Sequence, residues 1–600
     1  MSSHDAHMHR FVVVIAIAGC GNPHSTPPAD ASIDAPVAPV FRNPVTLPDA
    51  QLATQALQIL GGDVSGAQEE CNHCHGLTRQ RFRYWRALSD TAMSSCLTDL
   101  AITTPESAQK MIDCMRAMPA VATSDFQTQK LGVYATATHL PWFQFLFWRA
   151  YGDGGAQQAT DFARLIGMPQ GDAPKLTQEQ FDIVAEWFSR GVPMLDESLP
   201  TDPPPQTCQQ GISAEVAAHV TAMQTTGWRA QNRIDMMAMY DCGAATDPKQ
   251  CLADKPLGSA QTFGQGWDVA GRGQLRMLRD VTYESSYWTR SSPDGRFVAH
   301  GVVNVSGSYV IDLQRDAQVS IATQYDPAFF PDNTGFVFQG GTRNVCGMSV
   351  LTSNPASITM SEPACSRIST IGLYQHVGRA LGGGDFFAID SQFESDDGGK
   401  SPTLSDPLAS FTSNGYTDFT PMIFDGTKYV GKPRVHLSQP FEGDSTLSPS
   451  ARLELTRVAG PGDKQIGYVL RKVNATLAGT TYTIATPEIA RYCFSGGKPG
   501  FSYDERWIAF HHYITDADAQ DLGFTGPSDP GFAQYRAKGA ANLYLMDLRT
   551  GVPLRFTNMA PGQYALYPHF RSDGWMYAQI RDTNTGHEYT VASDAALQLE

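Results

Sequence analysis

The sequence predicts a multidomain fold in which an all-α N-terminal domain is followed by an all-β domain. The chain has 600 residues, too many for one hydrophobic core, so two or more domains are expected. Its 54 glycines and 38 prolines, with only 17% charged residues, favour a turn-rich β protein over a helical bundle. The net charge of −16 leaves no basic surplus for a phosphate backbone, which argues against nucleic acid as a partner.

A targeting segment begins the chain. Residues 11–19 are apolar or small, follow Arg10, and are too few to cross a membrane as a helix, as in a signal peptide. Ile17-Ala18-Gly19-Cys20 resembles the bacterial lipobox, which implies cleavage before Cys20 and acylation of its thiol. An ordinary secretory peptide with an incidental cysteine is the alternative. We therefore expect a lipoprotein signal peptide over 1–19 and a disordered Pro/Ala/Asp/Ser-rich tether over 20–48.

The lipobox resemblance also implies a location. It places the protein in the bacterial cell envelope, with the membrane as a partner through the lipid anchor. Residue 21 is Gly rather than Asp, so resemblance to sorting signals favours the outer membrane, facing the periplasm or the cell surface.

Cys71-Asn72-His73-Cys74-His75 is a C-x-x-C-H motif, the attachment signature of c-type haem. Two thiols at this spacing reach the two haem vinyl groups, and the adjacent imidazole is placed to bind the iron. Half of a zinc site would need a second Cys/His pair nearby, and a redox dithiol would need a βαβ context; neither is present in the sequence. The motif predicts one covalent haem c, attached through Cys71 and Cys74, with His75 on the iron.

An amphipathic helix is expected after residue 176, where apolar residues recur at helical spacing. Thr177 is placed to cap its start, and Gln180, three residues later, completes a capping box. Gly191 and Pro193 are expected to end it.

Met168-Pro169 precedes this helix, and a Met-Pro loop before a terminal amphipathic helix resembles the class I cytochrome c pattern. The resemblance implies a cytochrome c-like haem domain over residues 49–195, with Met168 as the distal iron ligand. Met168 lies 94 residues after Cys74, so a large insertion is expected within that domain. The alternative ligands are Met118, His139, Met236, Met237 and Met239.

Four further cysteines are disulfide candidates in an oxidising compartment. Cys96 and Cys114 lie 18 residues apart, and a bond there would stabilise the fold by roughly 3 kcal/mol through loop closure. Cys242 and Cys251 are placed to close a small loop within region 196–264. That region is expected to hold a proline-rich linker and a short helical segment.

Short β-branched or aromatic runs separated by turn residues follow from about residue 265. They contain a loose repeat, a turn of the Ser-Pro-Asp-Gly type that leads into a strand. Copies occur at 292–300, 330–338, 448–455, 502–510 and 571–577. The repeat resembles that of TolB-like β-propellers, and the resemblance implies a propeller of six to eight blades over residues 265–600.

Motifs of enzyme chemistry are sparse. The sequence contains no G-x-S-x-G, H-E-x-x-H or G-x-x-x-x-G-K-[ST] motif. Gly382-Gly383-Gly384 is expected to be a blade loop rather than a phosphate cradle. Asp516, Asp518 and Asp521 are expected to form a solvated acidic loop rather than a calcium site.

Together, these resemblances imply an exported, lipid-anchored c-type cytochrome that transfers single electrons to a redox partner protein. The propeller would bind a partner or ligand. Cytochrome cd1-type nitrite reductases also join a cytochrome c domain to a propeller, so a redox enzyme with a second site is an alternative. A haem-based sensor or scaffold is another. The propeller histidines available to a second site are His300, His376, His436, His511, His512, His569 and His587.

Overall fold

The computed structural model describes residues 44–61, 177–198, 204–232, 275–281, 289–300, 309–313, 317–320, 328–338, 344–348, 365–367, 376–392, 416–460 and 465–600. The chain divides into two compact units. The described residues up to 198 belong to the first unit, and those from 204 onward belong to the second. No helix in these ranges is long and apolar enough to span a membrane.

The described part of the first unit is helical. Its helices are α1 (Asp49–Gly61), α2 (Gln178–Ser189) and α3 (Leu195–Ser198). Helix α1 contacts both later helices. Its buried residues recur at the three- and four-residue spacing of one helix face, at Leu52, Ala53, Ala56 and Ile59.

Helix α2 carries the capping box predicted from the sequence. The Thr177 N–H donates to Gln180 Oε1 (2.9 Å), and the Gln180 N–H donates to Thr177 Oγ1 (3.2 Å). The helix ends at Ser189, and Gly191 follows with φ +83°, a left-handed conformation that suits glycine after a helix end. The predicted start, cap and end of this helix are confirmed.

The second unit consists mainly of antiparallel strands, numbered here along the chain. The strands before residue 400 are β1 (Gly211–Ile212), β2 (Arg276–Val281), β3 (Thr289–Ser291), β4 (Phe297–His300), β5 (Tyr309–Asp312), β6 (Ala317–Ser320), β7 (Ala328–Phe329), β8 (Gly335–Phe338), β9 (Asn344–Gly347), β10 (Cys365–Arg367), β11 (His376–Arg379) and β12 (Phe386–Gln392).

The remaining strands follow residue 415. They are β13 (Tyr416–Phe424), β14 (Tyr429–Gly431), β15 (Val435–Ser438), β16 (Glu442–Leu447), β17 (Leu453–Ala459), β18 (Gln465–Lys472), β19 (Asn474–Ala478), β20 (Thr481–Ala485), β21 (Glu488–Tyr492), β22 (Gly497–Phe501), β23 (Trp507–Tyr513), β24 (Ala541–Asp547), β25 (Pro553–Arg555), β26 (Gln563–Phe570), β27 (Met576–Asp582) and β28 (His587–Ser593).

Six antiparallel groups of strands can be traced in the described residues, and each is a blade-like meander. The groups are β3–β6, β7–β10, β11–β15, β16–β18 with β21, β22–β25, and β26–β28 with β2. The last two groups are joined into one sheet by a single parallel bridge between Ala541 and Tyr564. Strands β19 and β20 form a separate hairpin.

The first strand of each group contacts the first strand of the next. The contacts run from β3 to β7, β11, β16, β22 and β26, and from β26 back to β3. We call these first strands the inner strands. A Cβ atom on Gly378 in β11 would lie 2.5 Å from the carbonyl oxygen of Ser448, which follows β16, so neighbouring inner strands approach closely. Strand β2 pairs with β28 and thereby joins the start of the unit to its last group. A closed ring of meanders is the arrangement of a β-propeller.

The turn repeat found in the sequence recurs at the end of each inner strand. The backbone N–H of the first turn residue donates to the carbonyl of the first residue of the next strand or of the residue just before it, at Ser292, Phe330, Ala380, Ser448, Ser502 and Arg571. All six turns have a fourth residue with positive φ, namely Gly295, Asn333, Gly383, Ala451, Glu505 and Gly574. Three of these residues carry side chains, so the turn keeps its left-handed geometry where glycine has been replaced.

Residues 204–232 precede the first meander and pack within the same unit. Strand β1 pairs with β21, and helix α4 (Ala214–Thr226) buries Val216, Val220 and Met223. A disulfide bond joins Cys208 to Cys493, just after β21. A short helix, α5 (Ala533–Lys538), lies in the long connection between β23 and β24.

Candidate functional site

The residues predicted to hold haem, lipid and the candidate disulfides lie outside the described residues. They are Cys20, Cys71, Cys74, His75, Cys96, Cys114, Met168, Cys242 and Cys251. The alternative ligands Met118, His139, Met236, Met237 and Met239 lie outside them as well.

A different cluster of polar side chains occupies the middle of the propeller ring. We call it the polar centre. Its members come from five inner strands and the adjacent β23, and are Arg290, His376, Asp444, Lys498, His511 and His569.

Irregularities in the backbone of three inner strands affect the direction of side chains in the polar centre. Strands β16, β22 and β26 each carry a register shift, between 443 and 446, 497 and 500, and 566 and 569. At these irregularities Asp444, Lys498 and Tyr567 have φ of +51°, +47° and +54°. Bulges redirect side chains, and non-glycine residues in the left-handed region are strained unless neighbouring structure holds them. Three consecutive inner strands therefore each have a bulge with a left-handed non-glycine residue at the corresponding position.

Arg290, His376 and Thr446 form a hydrogen-bonded chain across three inner strands. Arg290 Nη2 donates to His376 Nε2 (3.2 Å), since a guanidinium cannot accept. His376 Nδ1 then carries the ring proton and donates to Thr446 Oγ1 (2.8 Å). Burial, followed by the charge of Arg290, holds the pKa of His376 well below its ordinary value. The imidazole is therefore neutral at neutral pH, with a defined tautomer.

Asp444 contributes a carboxylate to the polar centre. It is 2% exposed and accepts from Arg457 Nη1 (2.6 Å) and Lys498 Nζ (2.5 Å). Burial opposes ionisation of Asp444, but these two cations hold its pKa below the ordinary value. Burial lowers the pKa of Lys498 to about 8, against the attraction of Asp444. Lys498 is therefore still mainly protonated at neutral pH.

Two further buried histidines face this group. Burial, and then the charge of Arg457, lowers the pKa of His511 to about 3. Burial, and then the charge of Arg290, lowers the pKa of His569 to about 3. His569 Nδ1 donates to the Tyr567 carbonyl (3.1 Å), while its Nε2 atom has no hydrogen-bond partner among the described residues.

Not all of the propeller histidines converge here. His300 is buried nearby, stacks on Tyr309, and pairs with Thr590 (3.0 Å). The other three are held by carboxylates elsewhere: His436 by Asp418, His512 by Asp518 and His587 by Asp280.

The loop features discounted in the sequence are blade connections. Gly382-Gly383-Gly384 lies between β11 and β12, as predicted. Asp516 pairs with Arg536, and Asp518 pairs with His512 and caps a short 3-10 turn. Within the described ranges, no group of three or more His, Cys, Asp or Glu side chains is arranged to hold a metal ion.

Comparison with known proteins gives limited similarity. No family model and no curated protein matches the chain. Among solved structures, it is similar to the Cps50 (Swd1) β-propeller domain from Myceliophteria thermophila, with 11% identity, 53% of this chain and 99% of that chain covered, and a TM-score of 0.30.

Two other similar structures are enzymes by their descriptions. Oligogalacturonate lyase from Vibrio parahaemolyticus has 10% identity, coverage of 56% of this chain and 98% of that chain, and a TM-score of 0.29. Hydrazine synthase from Kuenenia stuttgartiensis has 12% identity, coverage of 54% and 79%, and a TM-score of 0.26. At such scores the propeller arrangement rests on the strand order of this chain, and no activity is carried over.

Proposed function

We propose that this protein is an exported, lipid-anchored c-type cytochrome that transfers single electrons, with a propeller that binds a ligand or partner. The observation that carries the proposal is the C-x-x-C-H motif at residues 71–75. Its donor set suits haem c, because two thiols can form thioethers and the neighbouring imidazole can bind iron. Bound haem would supply a reversible one-electron couple.

The Cys208–Cys493 disulfide supports export. Disulfide bonds persist in oxidising compartments such as the bacterial periplasm and are rare in the cytosol. Covalent haem attachment to c-type cytochromes also takes place outside the cytoplasm. The bond and the motif therefore favour the same compartment, in agreement with the lipobox-like sequence ending at Cys20.

Contacts in the first unit support a haem domain over residues 49–195. Helices α1 and α2 stand near the two ends of that range, and they pack against each other. Arg190, just after α2, pairs with Asp49 at the start of α1 (3.0 Å) and with Glu186 (2.6 Å). Both the C-x-x-C-H motif and Met168 lie in the segment between these paired helices.

Each chain residue would have a separate role. Cys71 and Cys74 would fix the position of the macrocycle, and His75 would hold the proximal side of the iron. Met168 would hold the distal side, where a neutral thioether favours the ferrous state and raises the potential.

The test is covalent haem in the mature full chain. A Cys71→Ala, Cys74→Ala variant is expected to lose all haem that survives acid–acetone extraction, whereas Cys96→Ala is expected to retain it. Retention in the double variant would refute the assignment. Met168→Ala is expected to lose the sulfur-to-iron charge-transfer band and Met118→Ala to keep it; the reverse result would move the distal ligand to Met118.

The polar centre favours a second candidate, a redox enzyme with a second site in the propeller. Its buried neutral histidines could ligate or exchange protons with a bound group. A pyridine haemochrome count distinguishes the candidates: one haem c per chain supports the electron carrier, and a second haem type supports the enzyme. Rapid carbon monoxide binding to the untreated protein would instead support a haem-based sensor.

A further inference from the structure

We propose that residues 208–232 form a redox-controlled strap over the turn face of the propeller, the face on which the inner strands end. The Cys208–Cys493 disulfide holds the strap in place, and reduction of this bond by a protein dithiol releases it. The proposal names a regulation of the binding function suggested above for the propeller and rests on that function. Its test requires neither haem nor a known ligand.

The first argument is that the strap crosses the ring. The N–H of Arg229 donates to the Tyr503 carbonyl (3.1 Å), in the turn after β22. Three positions later, Asn232 Nδ2 donates to the Pro331 carbonyl (2.6 Å), in the turn after β7. Strands β22 and β7 stand on opposite sides of the ring, because two inner strands separate them in each direction. The end of the strap therefore lies over the centre of the turn face.

Trp228 anchors the same end of the strap. This residue is 5% exposed and belongs to a core cluster that also contains Tyr503. Its Nε1 donates to the Arg379 carbonyl (3.0 Å), at the end of a third inner strand, β11. The strap thus takes three backbone acceptors on the turn face, one from each of three groups. Release of the strap would free these carbonyls and expose the apolar residues that pack on Trp228.

The second argument is the small buried surface of the rest of the strap. Nine of the thirteen residues of helix α4 are exposed, and its buried residues are Val216, Val220 and Met223. His219 adds one polar contact, to Glu505 (2.6 Å). Strand β1 pairs with β21 at two residues. A short helix with so little buried surface depends on the tethers at its ends to stay ordered.

The third argument is that the disulfide is accessible and lies at the outer edge of the propeller. Cys493 directly follows β21, the outer strand of its group, with which β1 pairs. Cys493 is exposed and Cys208 is half-buried, so a reductant can reach the bond in the folded protein. Exposed disulfides are the ones that exchange readily with thiols. With the bond formed, the strap is fixed at the edge and at the centre; with the bond broken, it can leave from the edge.

Reduction is a two-electron thiol–disulfide exchange. A thiolate of the dithiol attacks Cys493 Sγ, and Cys208 leaves as a thiolate that takes up the proton lost by the attacking thiol. The second thiol of the reductant then attacks the mixed disulfide and gives its proton to Cys493. The reductant ends as a disulfide, and the protein gains two thiols.

The experiment is hydrogen–deuterium exchange of the mature full chain, read by mass spectrometry. Oxidised wild type is compared with the Cys208→Ser, Cys493→Ser variant, which lacks this bond and keeps all other cysteines. Amides of residues 211–232 are expected to exchange about tenfold faster in the variant, because the strap is no longer tied at the edge. Amides of β24 and β27 are expected to remain far slower than those of the strap. Wild type treated with dithiothreitol without denaturant should behave as the variant does, and reoxidation should restore slow exchange.

A control variant separates release of the strap from a general loss of stability. Ile311→Ala removes a fully buried side chain from β5, in the group on the opposite side of the ring from the disulfide. It is expected to leave exchange of the strap as in wild type. Trypsin gives a second readout, because Arg229 is held by Asp504 and Glu600 while the strap is closed. Cleavage after Arg229 is expected to be about tenfold faster in the cysteine variant than in Ile311→Ala.

The outcomes are separable. The strap proposal would be overturned if dithiothreitol reduced the bond only after unfolding, if strap amides stayed as slow in the cysteine variant as in wild type, or if Ile311→Ala accelerated them equally. If this happened in a protein with one haem c, the electron-transfer proposal would stand. If the strap were released as expected in a chain without covalent haem, the electron-transfer proposal would fail and the strap proposal would stand.

Discussion

Removal of the Cys208–Cys493 disulfide is expected to destabilise the propeller strongly. The two cysteines are separated by 285 positions, so in the unfolded chain the bond closes a loop that includes the first four meanders. The chain-entropy relation for a loop of 285 residues gives about 5–6 kcal/mol at 25 °C. Removal of a native disulfide typically costs about 2–5 kcal/mol, so we expect the free energy of unfolding to fall by about 3–5 kcal/mol.

The assay is guanidinium denaturation of the mature protein, followed by tryptophan fluorescence. Cys208→Ser, Cys493→Ser and the double variant should lose the same free energy, because either substitution abolishes the bond. Reduced wild type should match them. A loss below about 1 kcal/mol, or losses that add in the double variant, would refute the reasoning.

Two further predictions concern buried carboxyls of the second unit. Glu505 is fully buried and accepts a hydrogen bond from His219 Nε2 (2.6 Å). Because His219→Ala leaves this buried carboxylate without its donor, the free energy of unfolding is expected to fall by about 2–4 kcal/mol. His219→Gln, which keeps a donor, should lose less than half as much in the same denaturation assay. Burial raises the pKa of Glu454 to about 7, from 4.5, so the folded state holds a proton that the unfolded chain releases. Stability should therefore fall by roughly 3 kcal/mol as pH rises from 4.5 to 7, and Glu454→Gln should flatten that profile; an unchanged slope would contradict the assignment.

Local chemistry made part of the fold predictable. The capping box at Thr177 and Gln180 requires residues only three positions apart, and it forms as the sequence indicates. The turn repeats likewise depend on neighbouring residues. The turn at Ala380 escaped the repeat pattern, because its sequence shares only glycine with the others, although the structure closes it by the same backbone hydrogen bond.

The partners of Cys208 and of the helix α4 segment could not be predicted. Cys208 stands in a proline-rich stretch that resembles a linker, and nothing local indicates that β1 pairs with β21 nearly 280 residues later. Connectivity between distant cysteines depends on the closure of the ring, which sequence patterns do not encode.

The polar centre was not predicted from the sequence, because its members are also far apart along the chain. In the sequence its members appear scattered, from Arg290 to His569, so the propeller histidines could be named only as a set available to a second site. Aligning the repeats on the first residue of each turn brings these residues to equivalent positions. His376, Asp444 and Lys498 each lie four residues before that residue, and Arg290 and His569 lie two residues before it. A propeller places equivalent positions of its inner strands around one axis, so phased polar residues must meet there. The repeat could therefore have located the cluster. It could not have shown the left-handed bulges, because Lys498 and Tyr567 are of residue types that rarely adopt a positive φ.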